Sequence, residues 1–270
     1  MTTFTCTECD QTYTKWVSKC GCGAYGTIAA RSDVENGLRN VVNVGGELSH
    51  YEKQRYRSQL LSEVKPETHK RIRTGLTPMD AVLNGGFVPG SVTLLGGNPG
   101  IGKSTLILQA IEHIPQTLYI AGEEALSQIA ERAKRIRINT TGIRITRETT
   151  TKKIIESCAG IKFLVVDSIQ TITSETVKQN ADSPTQVKRC ALELIAYAKH
   201  TKTTIIIICH VTKDNKFSGP RALEHFVDTT LYFEGEPEQQ PRLLRAHKNR
   251  YGATNKFGIF KMTERGLIGE

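Results

Sequence analysis

Beyond residue 62 the apolar residues alternate between short unbroken blocks and longer stretches in which they recur at helical spacing. "SVTLLGG", "TLYIAGEE", "KFLVVDS" and "TTIIIICHV" are blocks of strand length. Unbroken apolar character, in place of polar alternation, predicts strands buried on both faces, as in the middle of a parallel sheet. "GKSTLILQAIEHI", "SQIAERAKRIR" and "TQVKRCALELIAYAKH" predict helices between them, the second with a basic outer face. The result is an α/β domain with a mostly parallel central sheet, whose strands end in polar residues facing a ligand. The "TLYIAGEE" strand is expected beside the "SVTLLGG" strand. Three β-like runs, "VDTTLYFEG", "RLLRAHKN" and "FGIFKM", close the chain.

Upstream this pattern is lost. Residues 1–30 are rich in Cys and Gly, and residues 31–61, which include "VVNVGGELSHYEKQRYRSQL", mix Gly, polar and basic residues with little periodicity. The predicted organisation is a small module at 1–30, a linker at 31–61 and the α/β domain at 62–270. Four of the seven cysteines, Cys6, Cys9, Cys20 and Cys22, crowd into the small module, while Cys158, Cys190 and Cys209 lie in apolar surroundings that suit buried thiols. That distribution favours a metal site over a disulfide framework. Four thiolates from two short turns can surround Zn²⁺, and the metal supplies folding energy that so small a segment lacks. Cys6 and Cys9 have the usual C-x-x-C spacing; Cys20-Gly21-Cys22 makes a tighter bite.

Composition narrows the class of protein. With 38% hydrophobic and 23% charged residues the chain is ordinary for a soluble globular protein. No stretch approaches the roughly 18 apolar residues a membrane span needs, and the start is not that of a leader peptide, so the sequence reads as cytoplasmic. Lys plus Arg number 36 against 27 Asp plus Glu, and the net charge of +9 favours a polyanionic partner.

"GGNPGIGKS" sits between a predicted strand and a predicted helix and fits G-x-x-x-x-G-K-[ST]. Its residues Gly97, Asn98, Pro99, Gly100, Ile101, Gly102, Lys103, Ser104 and Thr105 form the candidate nucleotide loop, in which backbone N–H groups cradle the phosphates of ATP or ADP. Lys103 is assigned to the β- and γ-phosphates and Ser104 to Mg²⁺; Asp167, ending "FLVVD", is the second metal-holding group. Glu123 is the candidate base for the attacking water, with Glu124 as alternate or support. His210 is placed either to sense the γ-phosphate or to be a satisfied buried histidine.

The blocks "LNGGFVPGSVTLLGGNPGIGKSTLILQ", "YIAGEEALSQIAERAKRI", "HVTKDNKFSGPRALEHFVDTTLYFEG" and "LLRAHKNRYG" resemble, in order, those of the RadA (Sms) family of bacterial DNA-recombination ATPases, within the RecA-like class. "KNRYG" is similar to the family's KNRFG signature, with Tyr251 in place of phenylalanine. The resemblance implies a RecA-like P-loop ATPase core with an N-terminal four-cysteine zinc module. It also implies a homo-oligomer, a hexameric ring that moves along single-stranded DNA in recombination, with a recombinase filament as a further partner and no membrane. The family continues into a Lon-protease-like domain, whereas this sequence stops at "RGLIGE". The family's second C-x-x-C is one residue shorter here.

By position in RecA-like motors, the segments "TSETVKQNADSPT" and "TKDNKFSGPRALEH" are the expected DNA loops. The second offers Lys213, Lys216, Arg221 and Phe217; the first has Lys178 as its only cation. Lys248 and Arg250, two residues apart on an expected strand, share a face and are candidates to reach a neighbour's nucleotide. Two other readings remain: a regulatory ATPase like the clock protein KaiC, and a DNA accessory factor that binds ATP with little turnover. The first is disfavoured by the basic excess.

Overall fold

The computed structural model describes residues 4–6, 11–15, 17–22, 28–30, 60–64, 70–210, 222–236 and 240–270. The chain divides into two compact units, Met1–Val64 and Lys65–Glu270. In the first, β1 (Phe4–Cys6) pairs antiparallel with both β2 (Thr12–Tyr13) and β3 (Ile28–Ala30). Cys20 is buried beside Phe4, Tyr13 and Val17, and its Sγ lies 3.1 Å from Tyr13 Oη.

Among the described residues, the second unit is built on a nine-stranded sheet. In chain order its strands are β4 (Val92–Gly97), β5 (Thr117–Ala121), β6 (Ile143–Thr146), β7 (Phe163–Asp167), β8 (Thr204–His210), β9 (Thr229–Glu234), β10 (Arg242–Asn249), β11 (Phe257–Thr263) and β12 (Gly266–Gly269). Their spatial order is β12-β11-β10-β9-β4-β8-β7-β5-β6. From β9 to β6 every pairing is parallel, while β10, β11 and β12 continue from β9 as an antiparallel wing.

Helices cover both faces, which is why the central strands read as continuous apolar runs. Alternate residues of each strand serve opposite cores. Leu95, Ile206 and Ile208 face a core shared with α1 (Thr77–Val82), α2 (Lys103–Ala110) and α3 (Leu126–Arg135). Leu94, Ile205 and Ile207 face a second core shared with α4 (Thr151–Glu156), α5 (Pro184–Thr201) and α6 (Ala222–Phe226). Each of Ile205–Ile208 is fully buried, so truncating any one to Ala costs about 2–5 kcal/mol. α5 begins where Ser183 accepts a hydrogen bond from the Gln186 N–H and Pro184 occupies the first turn. Among the described residues no helix is long and apolar enough to cross a membrane.

Two sequence expectations change. β5 does not lie beside β4: β8 and β7 stand between them. A parallel crossover fixes the direction of the returning strand but not how many strands it passes over, and the two most apolar blocks fill that gap. The closing β region has four strands, because the short "GLIG" adds β12 to the edge of β11.

Candidate nucleotide site

The parallel strands end at one edge of the sheet. Gly97 of β4 is in register with His210 of β8 and with Phe233 of β9; Ala121 of β5 is in register with Asp167 of β7. The chain leaves β4 through the 98–102 loop and enters α2 at Lys103, with Gly102 as its cap residue at φ 105°. That angle suits glycine, and the first-turn N–H groups, which have no partner within the helix, face an incoming anion. Gly97 is needed for space, since a Cβ there would lie 2.5 Å from the Phe233 carbonyl oxygen.

Lys103 is buried beneath this loop. Its Nζ donates to the carbonyls of Gly97 (2.8 Å) and Asn98 (3.0 Å) and lies 3.4 Å from His210 Nδ1. Burial pulls the ammonium below the usual lysine range, an effect opposed by Cys209, Asp167 and Glu123. The lysine is therefore already in place for phosphate, and a bound anion would further favour its charged form.

Asp167 is 9% exposed. Burial pushes its carboxyl upward, while hydrogen bonds from Tyr119 and Ser104 pull it back. Tyr119 reaches it from β5, and burial followed by the Asp167 charge drives the phenol well above its ordinary range. Ser104 and Asp167 together offer hard oxygen donors of the kind Mg²⁺ takes alongside phosphate oxygens and water. The donor set thus fits that ion.

A second set of side chains runs across the strand ends. Glu123 Oε1 lies 2.8 Å from His210 Nε2 and accepts a hydrogen bond from Ser168 Oγ. The His210 hydrogen bond is the largest cause holding Glu123 below the usual carboxylate range, against an opposing effect of burial. Glu124 turns elsewhere: Arg132 Nη2 of α3 donates to its Oε1 at 2.8 Å and lies 2.8 Å from Oε2. The adjacent carboxylates are consequently not equivalent, and Glu123 is the one brought to His210. Although β5 is three strands from β4, His210 spans the distance by touching both Glu123 and Lys103.

Lys248 and Arg250 lie at the opposite edge. β10 runs antiparallel to β9, so Leu243 pairs with Glu234 near the loop and Asn249 pairs with Thr229 at the far end. Lys248 Nζ donates to the carbonyls of Glu224 (2.7 Å), His225 (3.1 Å) and Val227 (2.8 Å). Arg250 Nη1 donates to Asp228 Oδ1 at 3.2 Å, with its side chain half exposed. Both cations turn to the 224–228 segment of their own chain. Neither is near the phosphate loop of that chain.

Lys178 is exposed, on the segment after β7. Lys213, Lys216, Phe217 and Arg221 lie outside the described residues, as do Cys9 and the side chain of Cys6. Cys22 is exposed. Among the described residues no three His, Cys, Asp or Glu side chains come together as a metal site. Sequence reasoning missed Tyr119 and Ser168. Ser168 directly follows Asp167, which was its available signal; Tyr119 reads as one more core residue within an apolar block.

Residues 56–216 match the AAA domain family. The DNA repair protein RadA of Pseudomonas aeruginosa is 42% identical over 268 residues, covering 97% of this chain, and that of Escherichia coli is 39% identical over 272 residues, covering 98%. The chain belongs to the RadA family of AAA-domain proteins. It spans 58% of the length of these two RadA relatives. RadA of Bacillus subtilis is 40% identical, again over 98% of the chain. The fold is similar to that of a KaiC-like protein from Pyrococcus horikoshii, with a TM-score of 0.60 at 18% identity over 75% of this chain and 100% of that one. The two chains therefore share a fold, which in this chain is a RecA-like P-loop core.

Proposed function

We propose that this chain hydrolyses ATP in response to single-stranded DNA and acts in recombination and repair as a DNA translocase of the helicase or branch-migration type. The observation that carries the reading is the convergence of Lys103, Ser104, Asp167, Glu123 and His210 at the phosphate loop of a chain 42% identical to a DNA repair protein. The amides of the Gly97–Thr105 loop bind and orient the phosphates, and Lys103 faces the β- and γ-phosphates. Ser104 and Asp167 hold Mg²⁺, which neutralises charge on the phosphate oxygens. Glu123, kept ionised by its hydrogen bonds, orients water and accepts its proton, while His210 reports the γ-phosphate to the loop that follows it.

Lys248 and Arg250 act across a boundary between copies, in a hexameric ring. Support comes from their place at the sheet edge opposite their own phosphate loop. Lys178, Lys213, Lys216, Phe217 and Arg221 contact the DNA, and a recombinase filament is a further partner. Cys6, Cys9, Cys20 and Cys22 hold Zn²⁺ in a module at 1–30 joined by a linker at 31–61 to the ATPase domain at 62–270.

The deciding experiment is ATP turnover by the full chain with and without single-stranded DNA. DNA should raise turnover, more so at low salt, and Lys103→Ala should abolish it. Turnover indifferent to DNA would favour a regulatory ATPase. Nucleotide binding without turnover, even on DNA, would favour an accessory factor.

A further inference from the structure

Arg242 opens β10 and is 4% exposed, an unusual place for a guanidinium. Its Nη1 donates to the carbonyl of Ile101, inside the phosphate loop, at 2.6 Å. The approach is close: a Cβ on Gly102 would stand 2.9 Å from that nitrogen and 2.7 Å from Met262 Cε of β11. Farther along the same loop-helix unit, Gln109 of α2 exchanges hydrogen bonds with the backbone of Leu267 in β12, at 3.0 and 2.8 Å. The antiparallel wing thus grips the phosphate loop at one point and its helix at another.

The grip on Ile101 has a stereochemical consequence. In a planar trans peptide the C=O and the following N–H point in opposite directions. Holding the Ile101 carbonyl outward against Arg242 turns the Gly102 N–H the other way, toward the concave side of the loop. Gly102 has no side chain to resist rotation of that peptide, and at φ 105° its backbone is the most permissive in the loop's last turn. Lys103 holds the carbonyls of Gly97 and Asn98, so the cation inside the loop and the cation outside it fix different peptides.

We propose that Arg242 is a positioning residue that aims the Gly102 N–H at the nucleotide's phosphates, so that the wing β10–β12 sets phosphate affinity without touching nucleotide. The inference rests on the reading of the 97–105 loop as a nucleotide site.

The test is ADP binding by the full chain, measured by calorimetry, for wild type, Lys103→Ala, Arg242→Met and Arg242→Lys. Arg242→Met fills the space without a donor, and replacing a buried charge by an apolar side chain of similar volume need not destabilise the fold. ADP affinity should fall roughly 10- to 100-fold, the scale of one hydrogen bond to a charged group. Circular dichroism and the melting curve without nucleotide should stay near wild type. Arg242→Lys, which restores a cationic donor, should recover most of the affinity. If Arg242→Met does not fold, Arg242→Leu, which also lacks a donor, takes its place and must show the same loss. Wild-type affinity in a folded Arg242→Met or Arg242→Leu would overturn the proposal while Lys103→Ala still reports the nucleotide site. No ADP binding by the wild type would instead overturn the nucleotide reading itself.

Discussion

Tyr119→Phe removes one oxygen atom from the interior and nothing else. The lost hydroxyl is a fully buried donor to Asp167, a carboxyl that burial already holds above its ordinary range. Hydrogen bonds to charged groups contribute about 1.5–3 kcal/mol, and phenylalanine fits the same space. For a domain of roughly 200 residues, that lowers the melting temperature by about 3 to 12 °C. The pH dependence follows from the direction of the shift. Because Asp167 is raised in the folded state, the native protein keeps this proton to higher pH than the unfolded chain. Its ionisation therefore costs stability as pH rises from the ordinary carboxylate value through the raised one. Tyr119 reduces that cost by favouring the carboxylate; without it the folded-state value climbs further. Variant and wild type should come closest below about pH 4, where the carboxyl is protonated in both states. They should then diverge toward neutrality. Since a metal competes with the same proton, the variant should also need more Mg²⁺ for half-maximal ATPase, and the difference should shrink as pH rises. Calorimetric melts from pH 4 to 8 and Mg²⁺ titrations at two pH values measure both effects. Equal melting at pH 8, or a difference independent of pH, would refute the assigned bond.

Other outcomes follow from the same geometry. His210→Ala removes the main cause of the lowered Glu123 value, so the acid limb of the pH–rate profile should move to higher pH, whereas Glu123→Gln should bind nucleotide but turn over poorly. Purified protein should carry about one zinc per chain, lost in Cys6→Ser with Cys9→Ser while the ATPase unit stays folded; metal analysis and calorimetry decide this, and zinc-free protein prepared without chelator would end the idea. Arg250→Ala, which leaves the buried Asp228 carboxylate still accepting from the Val92 N–H, should spare ATP binding yet cut DNA-stimulated turnover roughly 100-fold or more. Mixing it with Lys103→Ala subunits should restore some activity, and no recovery in proven mixed assemblies would place Arg250's role within one subunit. Lys248→Ala should cut turnover too but also loosen the 224–228 segment, because three carbonyls lose their donor.

What the sequence made legible was whatever local pattern determines. The unbroken apolar blocks announced strands covered on both faces, and the glycine spacing before Lys103 announced the loop and helix. Asp167 and Glu123 were visible because each ends such a block. Strand order was not legible, since nothing in "TLYIAGEE" states which blocks will come between it and β4. β6 escaped notice because "IRIT" is a four-residue edge strand with polar alternation and no long apolar run. Tyr119 and Arg242 look like a core residue and a surface charge, and their roles arise only from partners 48 and 141 positions away. The two glutamates were indistinguishable until α3 supplied Arg132 for one and β8 supplied His210 for the other.

β10 runs from Arg242, seated on its own chain's phosphate loop, to the cations of "KNRYG" at the far edge of the sheet. Eight residues of strand measure roughly 25 Å, held by β11 over Arg242–Arg245 and by β9 as far as Asn249, with one register shift between Ala246 and Lys248. In an assembly where those cations meet the neighbour's nucleotide, each subunit would act as a spacer bar with one phosphate site at each end. A displacement of the bar at one end would be delivered to the other without passing through the DNA loops. Its length is also quantised: a single residue inserted between Arg242 and Leu244, unless absorbed by a further bulge like the register shift between Ala246 and Lys248, would reverse the facing of the side chains beyond it, moving Leu244 out of the core and the Lys248 ammonium away from the 224–228 carbonyls together. The spacing between the two ends is therefore a property the chain cannot adjust gradually.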